Sequence, residues 1–161
     1  MKITSPNGVH CLKFLHLLFA FMWIGGAMSM MLTLFTIPDS SAEAVLMKAT
    51  ILKQIDDWLV IGGAFGILAT GLLYGFLTKW GFFHHRWLAL KWIITVVMVL
   101  LGTFAMGPYI DANAMSGVDF FTDSRTAYDA NISQLKLFGC ILCILIALVV
   151  VLSVWKPFKK K

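Results

Sequence analysis

The first apolar stretch of the chain, residues 9–37, reads VHCLKFLHLLFAFMWIGGAMSMMLTLFTI and is followed by Pro38. At a rise of about 1.5 Å per residue, a helix over this stretch is longer than the roughly 30 Å hydrocarbon core of a bilayer. The stretch therefore predicts a helix that crosses a membrane with some tilt. It contains one histidine, His16, one mid-span tryptophan, Trp23, and a glycine pair, Gly25 and Gly26.

The composition places the whole chain in the membrane class. Of its 161 residues, 60% are hydrophobic and 13% are charged, whereas soluble domains carry about 25% charged residues. We predict one all-α domain over residues 1–161, an integral membrane four-helix bundle. Its predicted spans are about 9–37, 57–79, 87–107 and 134–155.

The basic residues lie at the ends of these spans, so their pattern says more than the net charge of +5. With the N-terminus in the cytoplasm, nine basic residues fall inside, and four fall outside with all eight acidic residues. The positive-inside rule then predicts that both termini are cytoplasmic. This segregation favours membrane lipids as partners and gives no support to a nucleic-acid partner.

The connections between the spans are predicted to differ. The capping-box spacing of Ser40 and Glu43 predicts a helix over 41–56, which either runs into the second span or lies on the membrane surface. A short basic turn at 79–86 makes the second and third spans antiparallel neighbours. The segment 108–133 is predicted to be a long acidic outer loop, serving as a lid, a binding loop or a mobile connection.

The second span has a face of small residues. Gly62, Gly66 and Thr70 recur every fourth residue, and Gly71 lies on a neighbouring stripe. Small residues at this spacing let helix backbones approach closely in lipid. We expect the span to pack against a neighbour through Gly62, Gly66 and Gly71, and this glycine-rich span is also the predicted contact of a homo-oligomer.

Two ionisable residues inside the spans are candidates for function. His16 lies three residues beyond Lys13, and Lys91 lies five residues beyond Arg86, so both are predicted at a similar depth. His16 could hydrogen-bond a neighbouring helix, ligate haem iron or another metal, or relay a proton. Lys91 could snorkel to the interface or pair with an anionic group in the bundle.

Sulfur-containing residues offer a second kind of site. Soft sulfur ligands suit Cu(I), although methionine and cysteine are also ordinary packing residues in apolar helices. The alternative metal prediction is therefore a copper site in the outer half, formed by Met28, Met30, Met31, Cys140 and Cys143.

Three short motifs resemble those of one membrane superfamily. The first is LKFLHLL at 12–18, followed by WIGG at 23–26, the second is ATGL at 69–72, and the third is RWLALKW at 86–92. They resemble segments of the CopD-like proteins, which include the HemJ-type protoporphyrinogen oxidases. The resemblance covers three of the four spans and implies a bundle that holds b-type haem or acts on a porphyrin, with His16 and Lys91 at the matched positions.

The resulting functional prediction is a haem b or porphyrin site in the cytoplasmic half of a multi-pass protein of a bacterial inner membrane. His16 is predicted to ligate the iron, with Lys91 as second ligand or propionate partner. Trp23 would pack on the ring, and Gly25 and Gly26 would make room for it. A HemJ-like oxidoreductase activity is one outcome, with no catalytic residue assigned. A copper-handling protein and a non-catalytic membrane subunit are the alternatives.

Overall fold

The computed structural model describes residues 6–77 and 86–155, and all regular elements in these two ranges are helices. The α-helices are α1 (Pro6–Thr36), α2 (Ala42–Ile55), α3 (Gly62–Leu77), α4 (Arg86–Leu100), α5 (Gly107–Asp123) and α6 (Arg125–Trp155). The first π segment, Asp56–Ile61, joins α2 to α3, and the second π segment, Leu101–Met106, joins α4 to α5. The all-α prediction is confirmed for this part of the chain. The predicted turn at 79–86, apart from Arg86, lies outside the described residues.

Because the π segments continue the helical path, the described residues form four long helices. Each is long and apolar enough to cross a membrane. The second runs over Ala42–Leu77, and its 36 residues correspond to about 54 Å, well beyond the roughly 30 Å of a bilayer core. The helix predicted over 41–56 therefore runs straight into the second span. Ser41 caps it, accepting a hydrogen bond from the Ala44 N–H at 3.2 Å.

The segment 108–133 is helical, and the prediction of a long loop there was wrong. Helix α5 extends to Asp123, and α6 begins at Arg125. A non-helical backbone at Ser116 (φ −137°, ψ 15°) bends α5 without ending it. The acidic residues of this segment thus lie on two helices that form a hairpin.

The third helix passes through Pro108, which the sequence suggested as an end of the span. Proline lacks an N–H and its ring collides with the carbonyl four residues earlier in a regular α-helix. The second π segment lies directly before Pro108, and Gly107 donates its N–H to the Gly102 carbonyl, five residues back. A wider turn at this point relieves the collision, so the helix continues.

The four long helices run alternately up and down. The pairs His16 with Thr70 and Trp23 with Gly63 show that α1 and α3 are antiparallel. We call the end where α1 begins and α6 ends the basic end, and the opposite end the acidic end.

Two buried clusters hold the bundle together. Trp23, Met98 and Ile146 meet in its middle. A larger cluster fills the acidic end and comprises Met30, Leu34, Val45, Leu52, Met106, Ile110, Tyr128, Ile132 and Leu135. Phenylalanines on the outside, such as Phe65 and Phe104, are each 73% exposed, as expected of side chains that face lipid. The larger of the two buried clusters thus lies at the acidic end.

The glycines of α3 contact other helices of the same chain. A Cβ built on Gly66 would collide with the Phe19 ring, and one on Gly63 would lie 2.6 Å from the Trp23 backbone nitrogen. Gly71 faces Trp92 at 3.3 Å, whereas Gly62 only reaches Met22 at 4.0 Å. Gly66 and Gly71 therefore lie at close helix contacts as predicted, while Gly63 rather than Gly62 is the second contact with α1.

Candidate functional site

His16 faces the second long helix. Its Nδ1 lies 2.8 Å from the Thr70 hydroxyl, across the antiparallel contact of α1 with α3. Thr70 is 5% exposed and His16 is half-buried. The small residues before Thr70 allow this contact, because α1 lies directly against Gly63 and Gly66.

The direction of this hydrogen bond follows from the other bond of Thr70. A hydroxyl has one proton, and Thr70 lies 2.6 Å from the Gly66 carbonyl of its own helix, which can only accept. The Thr70 oxygen then accepts from the N–H of His16 Nδ1. In a neutral imidazole this places the free lone pair on Nε2. Metal-ligating histidines have the same arrangement, in which one nitrogen is fixed by a hydrogen bond and the other is free to ligate.

Two residues of α4 and one of α3 complete the surroundings of His16. A Cβ on Gly71 would lie 3.7 Å from His16 Cε1 and 3.3 Å from the Trp92 ring. Lys91 is near enough for its charge to act on the His16 imidazole. His16 on α1 and Lys91 on α4 thus both lie near the basic end of the bundle. We call His16, Thr70, Gly71, Lys91 and Trp92 the histidine cluster.

The other residues of the predicted haem site do not join this cluster. Trp23 lies two turns from His16, and its ring belongs to the buried cluster in the middle of the bundle. Gly26 faces Leu59, where a Cβ would lie at 2.8 Å, so it makes room for a helix rather than for a ring. Gly25 is exposed, and a Cβ there would meet nothing within 4 Å.

The predicted copper ligands point in different directions. Met30 is buried in the core, whereas Met28 is 46% exposed. The Met31 sulfur packs against Gly139 on α6, and Cys140 is exposed. Cys143, half-buried, is the last residue of the predicted set. Among the described residues, no group of three histidine, cysteine or carboxylate side chains could hold a metal ion.

A cavity that the sequence did not predict lies nearer the acidic end. Its volume is about 410 Å³, and all four long helices contribute to its wall. Trp23 and Met98 lie in that wall, together with residues from both π segments. Clefts of about 300–1,000 Å³ with a mostly apolar wall and a few polar groups are typical ligand sites.

The polar part of the cavity is formed by Lys53, Asp56 and Asp111. Lys53 Nζ lies 2.7 Å from Asp57 Oδ1 and 3.0 Å from Asp111 Oδ1, which ties α2 to α5. Half-buried Asp56 lines the cavity beside this group. The sequence signal for this group is the spacing of three and four residues between Lys53, Asp56 and Asp57 just before the second span. This spacing alone predicts only residues outside the membrane.

The fold and these sites define the class of the protein, an all-helical multi-pass membrane protein with four helices that could each cross a bilayer. No protein-family model matches the chain, and no curated protein or solved structure is detectably similar to it. The resemblance to CopD-like proteins therefore stays a prediction.

Proposed function

We propose that the protein is a multi-pass membrane protein that holds haem b or a related porphyrin through His16, in the half of the bundle near the basic end. The observation that carries the proposal is the hydrogen bond from His16 Nδ1 to Thr70. It would orient the imidazole and leave Nε2 as the nitrogen that could ligate haem iron.

The chemistry of the histidine cluster suits this group. An ionisable side chain inside a span is costly unless it is paired, hydrated or ligating. Lys91, whose charge acts near His16, would pair with a propionate or supply the second ligand. Bound haem supplies one-electron redox chemistry at its iron. The residues of the chain hold the imidazole in one tautomer, orient it and shield it from water.

We also propose a location in a bacterial cytoplasmic membrane, with both termini and the basic end on the cytoplasmic side. The unequal distribution of basic residues supports this orientation. The exposed apolar side chains of the four long helices would then contact lipid.

The visible spectrum of the protein purified in detergent tests the proposal. We expect a Soret band, with α and β bands after reduction by dithionite. His16→Ala should abolish or strongly shift these bands, because it removes the axial imidazole. Thr70→Val should weaken haem retention by about 10–100-fold, the usual effect of losing the partner of a ligating histidine.

Thr33→Val is the matched control. Thr33 is also buried and donates to a carbonyl of its own helix, Ser29, at 2.9 Å, but it lies near the acidic end. It should leave the spectrum unchanged. Colourless protein after expression with added haem precursor would contradict the proposal, and bound copper in such a sample would favour metal handling instead. Equal effects of Thr70→Val and Thr33→Val would show that Thr70 has only a packing role.

A further inference from the structure

The cavity near the acidic end is separate from the histidine cluster. Its wall includes Trp23 from α1 and Ile146 from α6, and neither His16 nor Lys91 contributes to it. Near the mid-point of the third helix it is bounded by Gly102, where a Cβ would meet nothing within 4 Å. The absence of a side chain at Gly102 therefore keeps part of this space open.

Both π segments face the cavity. Asp56 and Val60 from the first segment, and Gly102 and Met106 from the second, lie in its wall. Single π-helical turns are rare and often occur at functional sites, because they re-aim side chains and loosen the helical hydrogen-bond ladder. Both π segments line the same cavity. The helices thus depart from regular α-helical hydrogen bonding where they form its wall.

Negative side chains outnumber positive ones in the wall of the cavity. Lys53 is neutralised by Asp57 and Asp111, which lie 2.7 and 3.0 Å from its Nζ. None of the hydrogen bonds or ion pairs among the described residues involves the carboxylate of Asp56. The charged side chains that line the cavity are Lys53, Asp56 and Asp111, so its wall has a formal net charge of −1. The charge of Lys53 acts on Asp56 without forming an ion pair with it, since Lys53 is bound by Asp57 and Asp111. A cation beside Asp56 would therefore lower the cost of burying this carboxylate.

We propose that this cavity binds an amphipathic cation, a molecule with a bulky apolar body and one positive charge. The apolar body would lie among Trp23, Met98 and Met106, which line the cavity, and the positive charge would lie at Asp56. A small metal ion is a poorer match, because no group of three histidine, cysteine or carboxylate side chains among the described residues could hold one. The net negative charge disfavours an anion of the same shape.

Tetraphenylphosphonium and tetraphenylborate are suitable probes, because they have nearly the same shape and opposite charge. Equilibrium dialysis against the full chain in phosphatidylcholine nanodiscs, with empty nanodiscs subtracted, measures the binding of each. We expect saturable binding of tetraphenylphosphonium and at least about tenfold weaker binding of tetraphenylborate, the discrimination expected from a partly buried charge.

Two variants test the cavity itself. Asp56→Asn keeps the size of the side chain and should weaken binding of the cation by about tenfold or more, since truncating one partner of a buried charge pair has effects of this size. Asp119→Asn, at an exposed carboxylate of the same end, is its control and should bind as the parent does. Gly102→Leu should fill the cavity and abolish binding, whereas Gly25→Leu, at a position equally free of neighbours, should not.

Saturable binding of tetraphenylborate as tight as that of tetraphenylphosphonium, or unchanged binding of the cation in both Asp56→Asn and Gly102→Leu, would overturn the proposal. Binding that does not saturate would overturn it as well and show partition into lipid only. Loss of binding in the two control variants as well would also overturn it, since general destabilisation would then explain the effect. The outcome is independent of the haem proposal. His16→Ala, which removes the predicted iron ligand, should leave binding of tetraphenylphosphonium unchanged.

Discussion

Lys48 is a charged side chain inside the packed core of the acidic end, only 1% exposed. Its Nζ lies 2.9 Å from Asp39 Oδ1, and the Tyr128 hydroxyl donates to the same oxygen at 2.7 Å. The three residues thereby join the α1–α2 connection, α2 and α6. A buried charge of this kind is tolerated only while its partner is present, because no other ion pair among the described residues involves Lys48.

We therefore expect the loss of the Asp39 charge to destabilise the protein more than the loss of the Lys48 charge. Asp39→Asn leaves Lys48 buried without a counter-charge, and we expect it to lower the free energy of unfolding by about 3 kcal/mol or more. Lys48→Met replaces the ammonium group by an apolar end of similar length and should lower it by less. Denaturation of the detergent-solubilised protein measures both.

The double variant Asp39→Asn/Lys48→Met supplies the control. It should be more stable than Asp39→Asn alone, since the unpaired ammonium group is gone. If Lys48→Met is the more damaging single change, the ion pair itself, rather than the cost of an unpaired lysine, dominates.

At the level of the elements, the contact between α1 and α3 positions the histidine cluster. Gly63 has the tightest backbone contact there, because a Cβ would lie 2.6 Å from the nitrogen and 2.9 Å from the Cα of Trp23. Backbone atoms cannot rotate away as a side-chain ring can. The register that pairs His16 with Thr70 thus depends on the absence of a side chain at Gly63.

Gly63→Ala should separate the two helices and lower the free energy of unfolding by about 1–3 kcal/mol, as overpacked sites do. Gly25→Ala is the matched control, since its added methyl group meets nothing within 4 Å. It should leave stability unchanged or raise it by up to about 1 kcal/mol through better helix propensity. Thermal unfolding in detergent distinguishes them, and equal midpoints would show that α1 moves freely to accommodate the methyl group.

The elements also show what the sequence could and could not predict. Length and apolar composition were enough to predict the four long helices. The hydrogen bond between His16 and Thr70 could not be predicted in this way. The spacing of Thr70 fits a packing stripe, and periodicity does not show which polar groups face each other. Pro108 and the acidic residues after it predict the end of a span. The helix continues because of the π segment before Pro108, and a π segment has no sequence signature.

The cavity needed tertiary structure for a similar reason. Asp56 and Asp111 are 55 residues apart in sequence, and only the antiparallel packing of the second and third long helices brings them to one cavity. Trp23 shares a stripe of α1 with His16, and this spacing predicts that Trp23 packs on a porphyrin ring beside His16. Its side chain instead lies among Met98 and Ile146, where the long helices converge.

For the whole molecule, the lengths of the helices constrain how the protein lies in a membrane. The second and third long helices have 36 and at least 34 residues, or more than about 50 Å at 1.5 Å per residue. A bilayer core of about 30 Å cannot contain them. Because the acidic end carries the ion pairs of Lys48 and Lys53 and the large core, it is the part that should project from the bilayer.

Orientation is the last prediction. The nine-to-four distribution of basic residues predicts that the basic end is cytoplasmic, so the projecting acidic end lies outside. Single cysteines in a background without Cys11, Cys140 and Cys143 test this in intact cells with an impermeant maleimide. Met115→Cys, at an 84% exposed position of α5, should be labelled directly. Asn7→Cys, at the exposed start of α1, should be labelled only after permeabilisation, and the opposite pattern would place both termini outside.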